Sequence, residues 1–387
     1  MSGSQKAEIA TVIENFLPEL HSQKPLLNHH LRTLYALQRC RTEAMGGRVE
    51  NCNQCGHEQI IYNSCRNRHC PKCGSIDREK WLVEREADLL PVNYLHVVFT
   101  LPDKLNSLFL HHQADCYNIL FRIANQVMTG FASNTKFLNA RIGYTAILHT
   151  WGQNLQYHPH LHLVVPAGGI TRNNKWKPSK ANGSFLFPVD QMSRVFRAQM
   201  VAALRKYVRT EQIKTEPGLF NALFTKEWVV YVKPPFAGPK QVLSYLGRYT
   251  HRVAISNNRI LQVDDKQVTF SWRDYHKDYQ QIITTMKGID FLKRFSLHIL
   301  PPGFIRIRHY GFLSSAAKTK ALDALREYFC LDPRDKNIET SWQTIVSERM
   351  GIEARCCIKC GHFMQVVRTI PDRFYQPIRA PSYSAVC

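Results

Sequence analysis

Apolar positions in the first fifty residues recur at helical spacing. Ile9, Val12, Ile13 and Phe16 fall on one face, and Pro18 is expected to break the run. A second helical stretch extends from Asp77 to about Leu90, where Pro91 ends it. Between them, residues 52–73 are dense in Cys, His, Asn and Gly, so no regular element is expected there. Beyond Pro91 the pattern changes. Tyr94–Thr100 has the continuous apolar character of a buried strand, and residues 107–130 return to helical spacing through Leu108, Leu120, Phe121 and Ile123. Tyr144–Trp151 and Leu161–Val165 read as two strands joined by a polar turn over Gln153–Tyr157. Residues 190–212 read as helix, and Trp228–Val232 as a strand stopped by Pro234 and Pro235. Pro239 suits the first turn of a helix running to about Thr250. A meander follows over Val253–Ser256, Ile260–Val263 and Val268–Trp272. Strands interleaved with helices and partly joined by hairpins predict an α+β fold on a mainly antiparallel sheet.

Composition narrows the partner. Of 387 residues, 51 are Lys or Arg against 30 acidic, a formal charge of +21 and a pI near 9.6. That surplus suits a polyanion, with counterion release supplying much of the affinity. Glu8, Glu14 and Glu19 interrupt the first twenty residues, which argues against a signal peptide. No apolar stretch is long enough to span a bilayer, so the expected location is cytoplasmic or nucleoid-associated, with no membrane partner. In such a compartment the 12 cysteines are better read as metal ligands than as disulfides.

Cys52-x-x-Cys55 and Cys70-x-x-Cys73 have the spacing of two zinc turns, and together they make a closed, structural Zn²⁺ set. Cys65 or His69 could replace a member, or join a second ion with Cys40 or His57. Cys356, Cys357, Cys360 and His362 make at most half of another site. Arg66, Arg68, Lys72 and Arg78 surround the first cluster, so this module could also touch DNA.

Two further motifs carry chemistry. In His158-Pro159-His160-Leu161-His162, His160 and His162 project to the same side of a strand and suit a divalent ion. Gln153, brought back by the turn, is the expected third ligand, with His158 as its competitor. His96, His149 and His298 lie in apolar surroundings and read as core histidines. In Tyr245-Leu246-Gly247-Arg248-Tyr249, the tyrosines stand one helical turn apart, flanked by Arg248 and Arg252 as phosphate contacts. A tyrosine hydroxyl is a weak nucleophile near neutral pH, and a metal on the scissile phosphate lowers the barrier to its attack.

The ordered set of Ser64–Cys73, the His-Pro-His-Leu-His stretch and Tyr245-Leu246-Gly247-Arg248-Tyr249-Thr250-His251-Arg252 resembles the bacterial rolling-circle transposases of the IS91 family. Phe304–Gly311 resembles the same family, whose members are two-tyrosine HUH endonucleases. The resemblance spans roughly residues 25–315. It implies an HUH palm, a central antiparallel sheet flanked by helices, preceded by a small helical zinc-binding module. It implies a Mg²⁺- or Mn²⁺-dependent enzyme that nicks and joins single-stranded DNA at transposon ends and target, through a 5′-phosphotyrosine link. By position His160 and His162 match the metal ligands, and Tyr245 and Tyr249 the nucleophiles. The implied division is residues 1–90 as the helical zinc module, 91–315 as the catalytic domain, and 316–387 as a C-terminal extension.

Lys287, Lys293, Arg294, Arg306, Arg308 and His309 are spread among Phe291, Phe295, Phe304 and Tyr310, a mixture that suits single-stranded DNA. Arg306 and Arg308 join Arg248 and Arg252 as expected DNA contacts. A replication initiator with the same chemistry, a water-using metal phosphoesterase and a non-enzymatic zinc regulator are the competing readings.

Overall fold

The computed structural model describes residues 7–236, 241–242, 247, 253–274, 278–334, 341–351, 353 and 355–373. Its central element is a five-stranded antiparallel sheet. The strands are β3 (Tyr94–Thr100), β4 (Gly143–Trp151), β5 (Tyr157–Pro166), β8 (Val230–Phe236) and β12 (Ile307–Gly311), in the order β12-β4-β5-β3-β8. Two short strands, β6 (Gly168–Ile170) and β7 (Trp176–Pro178), pair beside it. A mixed α/β architecture with antiparallel sheets is therefore present, as the hydrophobic pattern predicts.

The two faces of the central sheet differ. Leu95, Val97, Phe99, Ala146, Leu148, Leu161, Leu163 and Val165 alternate onto one face and are buried against helices Gln113–Ser133 and Val189–Thr210. Their alternates, His96, Ile147, His149, His160, His162 and Val164, occupy the other. Helix Gly74–Glu86 covers part of that second face through Leu82, which clusters with Tyr94, Ile147, Val164 and Val242.

At two places proline does not terminate its element. Helix Ile9–Gln23 runs through Pro18. An interior proline costs about 3 kcal/mol, but Phe16, Leu17 and Leu20 are all buried, and each burial returns roughly 1.5–3 kcal/mol. Strand β8 likewise continues past Pro234 and Pro235, because it is an edge strand and its register slips opposite Leu95. The helix expected over 107–130 is broken instead at His112, whose φ and ψ of −128° and 49° leave the helical region.

The division by sequence order does not describe the packing. The first two helices, Ile9–Gln23 and Asn28–Arg39, share a core with Ala254, Ile255, Phe270, Phe291 and Phe295. That core lies over a second sheet of β9 (Ile260–Val263), β10 (Gln267–Asp274) and β11 (Gln280–Lys287), in the order β11-β10-β9. Val253–Ser256, expected as a strand, is irregular. A third sheet pairs β1 (Gly47–Cys52) with β2 (Glu58–Tyr62) and with β13 (Met364–Ile370). The C-terminal stretch, expected as a separate extension, is thus built into the N-terminal cysteine region, and β2 is a regular strand where none was expected.

The seat of the first helix is tight. A Cβ on Gly288 would come within 2.1 Å of the Phe16 ring. Gly288→Ala is expected to destabilise the chain by about 1–3 kcal/mol, read as a lowered thermal midpoint. An unchanged midpoint would contradict this packing.

Candidate metal centres

His160 and His162 face the same way on β5, and the register of β4 sets His149 directly opposite His160. Donor atoms of the three imidazoles all lie within 4.8 Å of one another. His160 Nδ1 donates to the His158 carbonyl at 2.6 Å, so in the neutral ring Nε2 carries the lone pair. His162 Nδ1 lies 2.8 Å from His96 Nε2 on β3. Burial, with Lys233 and His160 nearby, pushes His96 down to about 3, so that ring is neutral. Two of the three histidines read as core residues, His96 and His149, therefore stand at the candidate site. Gln153, expected to complete the set, lies in the β4–β5 turn, where its carbonyl accepts a hydrogen bond from Arg259 Nη2. The hairpin of Tyr144–Trp151 with the His-Pro-His-Leu-His stretch could have drawn attention to His149, but its place opposite His160 depends on a bulge between His149 and Trp151.

His298 behaves as read. It is buried, with Nε2 donating to the Leu155 carbonyl at 3.1 Å and Nδ1 3.3 Å from Thr150 Oγ1. Burial pushes it down to about 4. Above the unfolded value near 6.5 both states are neutral and its stabilising contribution is complete. Between 6.5 and about 4 only the unfolded chain takes up this proton, so stability falls as pH falls, by about 1.4 kcal/mol per pH unit for one such group. The thermal midpoint of His298→Gln is expected to decline less steeply than that of the parent between pH 6.5 and 4.5. Equal slopes would contradict the assignment.

Tyr245, Tyr249, Arg248 and Arg252 lie outside the described residues. Their described neighbours are informative. Val242 packs with Ile147 and Val164 on the histidine-bearing face, and a Cβ on Gly247 would meet Leu82 Cδ1 at 2.9 Å. The glycine is therefore explained by close packing on helix Gly74–Glu86.

Of the basic residues expected at DNA, Arg306 is buried, with 8% exposure. Burial, with Arg68 nearby, pushes it down to about 10, and it has no solvent face to offer a phosphate. Arg308 points to the opposite side of the sheet from the histidines, where it stacks 4.1 Å over Phe121 and donates to Asn118 at 2.6 Å. Around the cysteines, Arg68 donates to the Pro301 and Phe304 carbonyls, Lys72 pairs with Glu8 at 2.7 Å, and Arg78 pairs with Glu79. Arg68 and Lys72 are committed to internal contacts, whereas Arg78 keeps an exposed side chain beside its neighbour Glu79.

The four cysteines expected in one site are divided between two. Cys70 and Cys73 gather with Cys40 and Cys65, whereas Cys52 and Cys55 gather with Cys357 and Cys360, each set lying within 4.8 Å. The reason is β2, whose five residues carry the chain away by about 3.3 Å each between the two Cys-x-x-Cys turns. Sulfur separations are 3.3 Å for Cys40–Cys73 and 3.6 Å for Cys65–Cys73. They are far longer than a disulfide of about 2.05 Å and close to the tetrahedron edge set by Zn–S bonds of about 2.3 Å. Hydrogen bonds among the four sulfurs hold the Cys73 thiol well below the usual range and push Cys65 and Cys70 up, as expected when four sulfurs crowd together. The donor chemistry fits zinc.

The family described as "Putative transposase" matches residues 143–321, and the "Transposase zinc-binding domain" matches residues 12–101. The chain is 39% identical over 389 residues to "Putative transposase y4qJ" of Sinorhizobium fredii, covering 96% of this chain and 97% of that relative. It is 26% identical over 350 residues to "Transposase for insertion sequence element IS801" of Pseudomonas savastanoi pv. phaseolicola, covering 86% and 82%. No solved structure matches significantly. Among the described residues no helix is long and apolar enough to cross a membrane. The zinc-binding domain, the transposase match and the near full-length relative together define a DNA-processing enzyme of a mobile element, and the chain belongs to the IS91 family of transposases.

Proposed function

We propose that this transposase nicks and rejoins single-stranded DNA at transposon ends and target through a 5′-phosphotyrosine intermediate, in an HUH-type palm formed within residues 91–315. One observation carries the reading. His149, His160 and His162 converge on the sheet face against which Val242 packs, and Val242 and Gly247 bracket Tyr245 in the sequence.

His149, His160 and His162 would hold Mg²⁺ or Mn²⁺, with His149 in the place given to Gln153 from sequence. A bound ion would withdraw charge from the scissile phosphate. The hydroxyl oxygen of Tyr245 or Tyr249 attacks phosphorus, the bond to the 3′ oxygen breaks, and the 3′-hydroxyl leaves carrying a proton. The 5′ phosphate stays on the tyrosine until a hydroxyl end reverses the step, and a second tyrosine permits a second transfer before the first is resolved. His96 orients His162, since a hydrogen bond from His162 Nδ1 to His96 Nε2 leaves His162 Nε2 for the ion. Arg248 and Arg252 contact phosphates; Arg306 and Arg308 are not retained in that role. Cys40, Cys65, Cys70 and Cys73 hold a structural Zn²⁺ inside the matched zinc-binding domain.

Three neutral nitrogen donors favour Mn²⁺ over Mg²⁺, which takes oxygen ligands more readily. With oligonucleotides carrying the element's ends, cleavage is expected on the single strand alone and at lower Mn²⁺ than Mg²⁺ concentration. Equal cleavage of the intact duplex, or cleavage undiminished in EDTA, would overturn the proposal.

A further inference from the structure

The segment Cys52-Asn53-Gln54-Cys55-Gly56-His57 has a counterpart near the other end of the chain, Cys357-Ile358-Lys359-Cys360-Gly361-His362. Both fold into the same turn. Gly56 and Gly361 have left-handed φ values of 65° and 76°, which favour glycine at each. Gly56 N donates to Cys52 O at 2.8 Å, and Gly361 N to Cys357 O at 2.9 Å. Cys52 N donates to His57 O at 2.9 Å, and Cys357 N to His362 O at 2.7 Å. The backbone of the turn is thus built twice, with the same hydrogen bonds.

The two turns meet. Strand β13 runs antiparallel to β1 from Cys52 opposite Met364 to Gly47 opposite Ile370. This brings Cys52 Sγ to 3.4 Å from Cys360 Sγ, and Cys55 Sγ to 3.6 Å from Cys357 Sγ. The backbone N–H of Lys359 points at Cys357 Sγ from 3.4 Å, as it does toward a thiolate in such a turn. All four sulfurs lie within 4.8 Å of one another, and the two separations are close to the edge of the tetrahedron that Zn–S bonds of about 2.3 Å set.

Little else holds this sheet. Among the described residues, no member of β1, β2 or β13 belongs to a buried hydrophobic cluster. Ile60, Val366 and Val367 stand more than half exposed, and Ile358 and Phe363 more than two-thirds. A three-stranded sheet without a core needs another source of stability, and small modules of this kind commonly take it from a metal. The matched zinc-binding domain ends at residue 101, so the match includes Cys52 and Cys55 but not Cys357 or Cys360.

We infer that a second zinc ion, distinct from the one at Cys40, Cys65, Cys70 and Cys73, is held by Cys52, Cys55, Cys357 and Cys360 and clamps the C-terminal strand to the N-terminal hairpin. The site is closed, with four thiolates and no position for substrate, and its role is structural. It does not depend on the cleavage chemistry proposed above.

The test counts zinc in the purified full-length chain after dialysis against EDTA, which strips weakly held ions. Two zinc ions per chain are expected, falling to one in the Cys357→Ser/Cys360→Ser double variant, with amide exchange accelerated in residues 47–62 and 356–370. Cys330→Ser, outside both clusters, should keep two. Should the double variant not fold, Cys360→His retains a zinc donor. It should keep two ions and shift the visible spectrum of the cobalt-substituted protein. One zinc in the parent chain, or two unchanged in the double variant, or an unshifted cobalt spectrum in Cys360→His, would overturn the inference.

Discussion

His162→Ala is expected to lower single-strand cleavage by about a thousandfold or more, roughly 4 kcal/mol of barrier, while binding of the same oligonucleotide changes little. His162 sits on the central strand, 7% exposed, between β3 and β4. Its backbone pairs on both sides, to Val98 and Ile147, so the strand survives loss of the ring. What is lost is one of three nitrogens and the partner of His96. The effect should be graded by role. His149→Ala should approach the same loss, because its ring lies 4.6 Å from that of His162 and 5.6 Å from that of His160. His96→Leu should cost about 10–100-fold, the usual penalty for losing a residue that orients a ligand, and higher Mn²⁺ should partly rescue it. Gln153→Ala should change cleavage little. A severe Gln153→Ala defect beside a mild His149→Ala one would restore the ligand set expected from sequence. Cleavage rates over a metal titration, with binding measured separately, decide between them.

The second large effect concerns stability. Cys73→Ser is expected to release zinc and unfold the module around it. Apparent binding energies of structural zinc reach about 10–16 kcal/mol in small modules, so loss of one thiolate exceeds what the local packing can absorb. Damage should spread. Cys40 and Cys70 are packed in the same core as Ile9, Phe16 and Phe291, and the Cys70 loop is docked by Arg68 on the Pro301 and Phe304 carbonyls and by Leu300 N on His69. Cys73 also stands at the start of the helix whose Leu82 packs on Gly247. A Cys73→Ser chain should therefore lose one zinc, melt at lower temperature and cleave poorly, although no atom of residue 73 meets DNA. Zinc analysis with thermal unfolding checks this, and a variant with full zinc and an unchanged midpoint would remove Cys73 from the site.

Much of this was legible in the sequence, for physical reasons that also explain the rest. Tyr94–Thr100 and Tyr144–Trp151 are buried on a sheet, so their apolar character is nearly continuous, and both strands are present. His160 and His162 share a face because alternation on a strand is geometric. Errors arose where the decisive contact was distant. Pro18 sits inside a helix that buried leucines hold together, and Pro234 and Pro235 are tolerated on an edge that only the sheet order reveals. Apolar surroundings mark His149 as a core residue in the sequence, whereas its cross-strand partner is His160. Proximity in sequence groups Cys52 and Cys55 with Cys70 and Cys73, whereas the fold brings Cys52 to Cys360 and Cys73 to Cys40. Arg306 carries the right charge for DNA, but residue type does not reveal that it is buried.

The measurement that bears most directly on the central proposal is the location of the covalent link. Full-length protein would react with a single-stranded oligonucleotide carrying a transposon end in Mn²⁺, and the adduct would be digested and sequenced by mass spectrometry. A 5′-phosphorylated nucleotide remnant is expected on the peptide containing Tyr245 and Tyr249, and no adduct in the Tyr245→Phe/Tyr249→Phe double variant. Cleavage with no adduct, or an adduct on any other residue, would contradict the proposal.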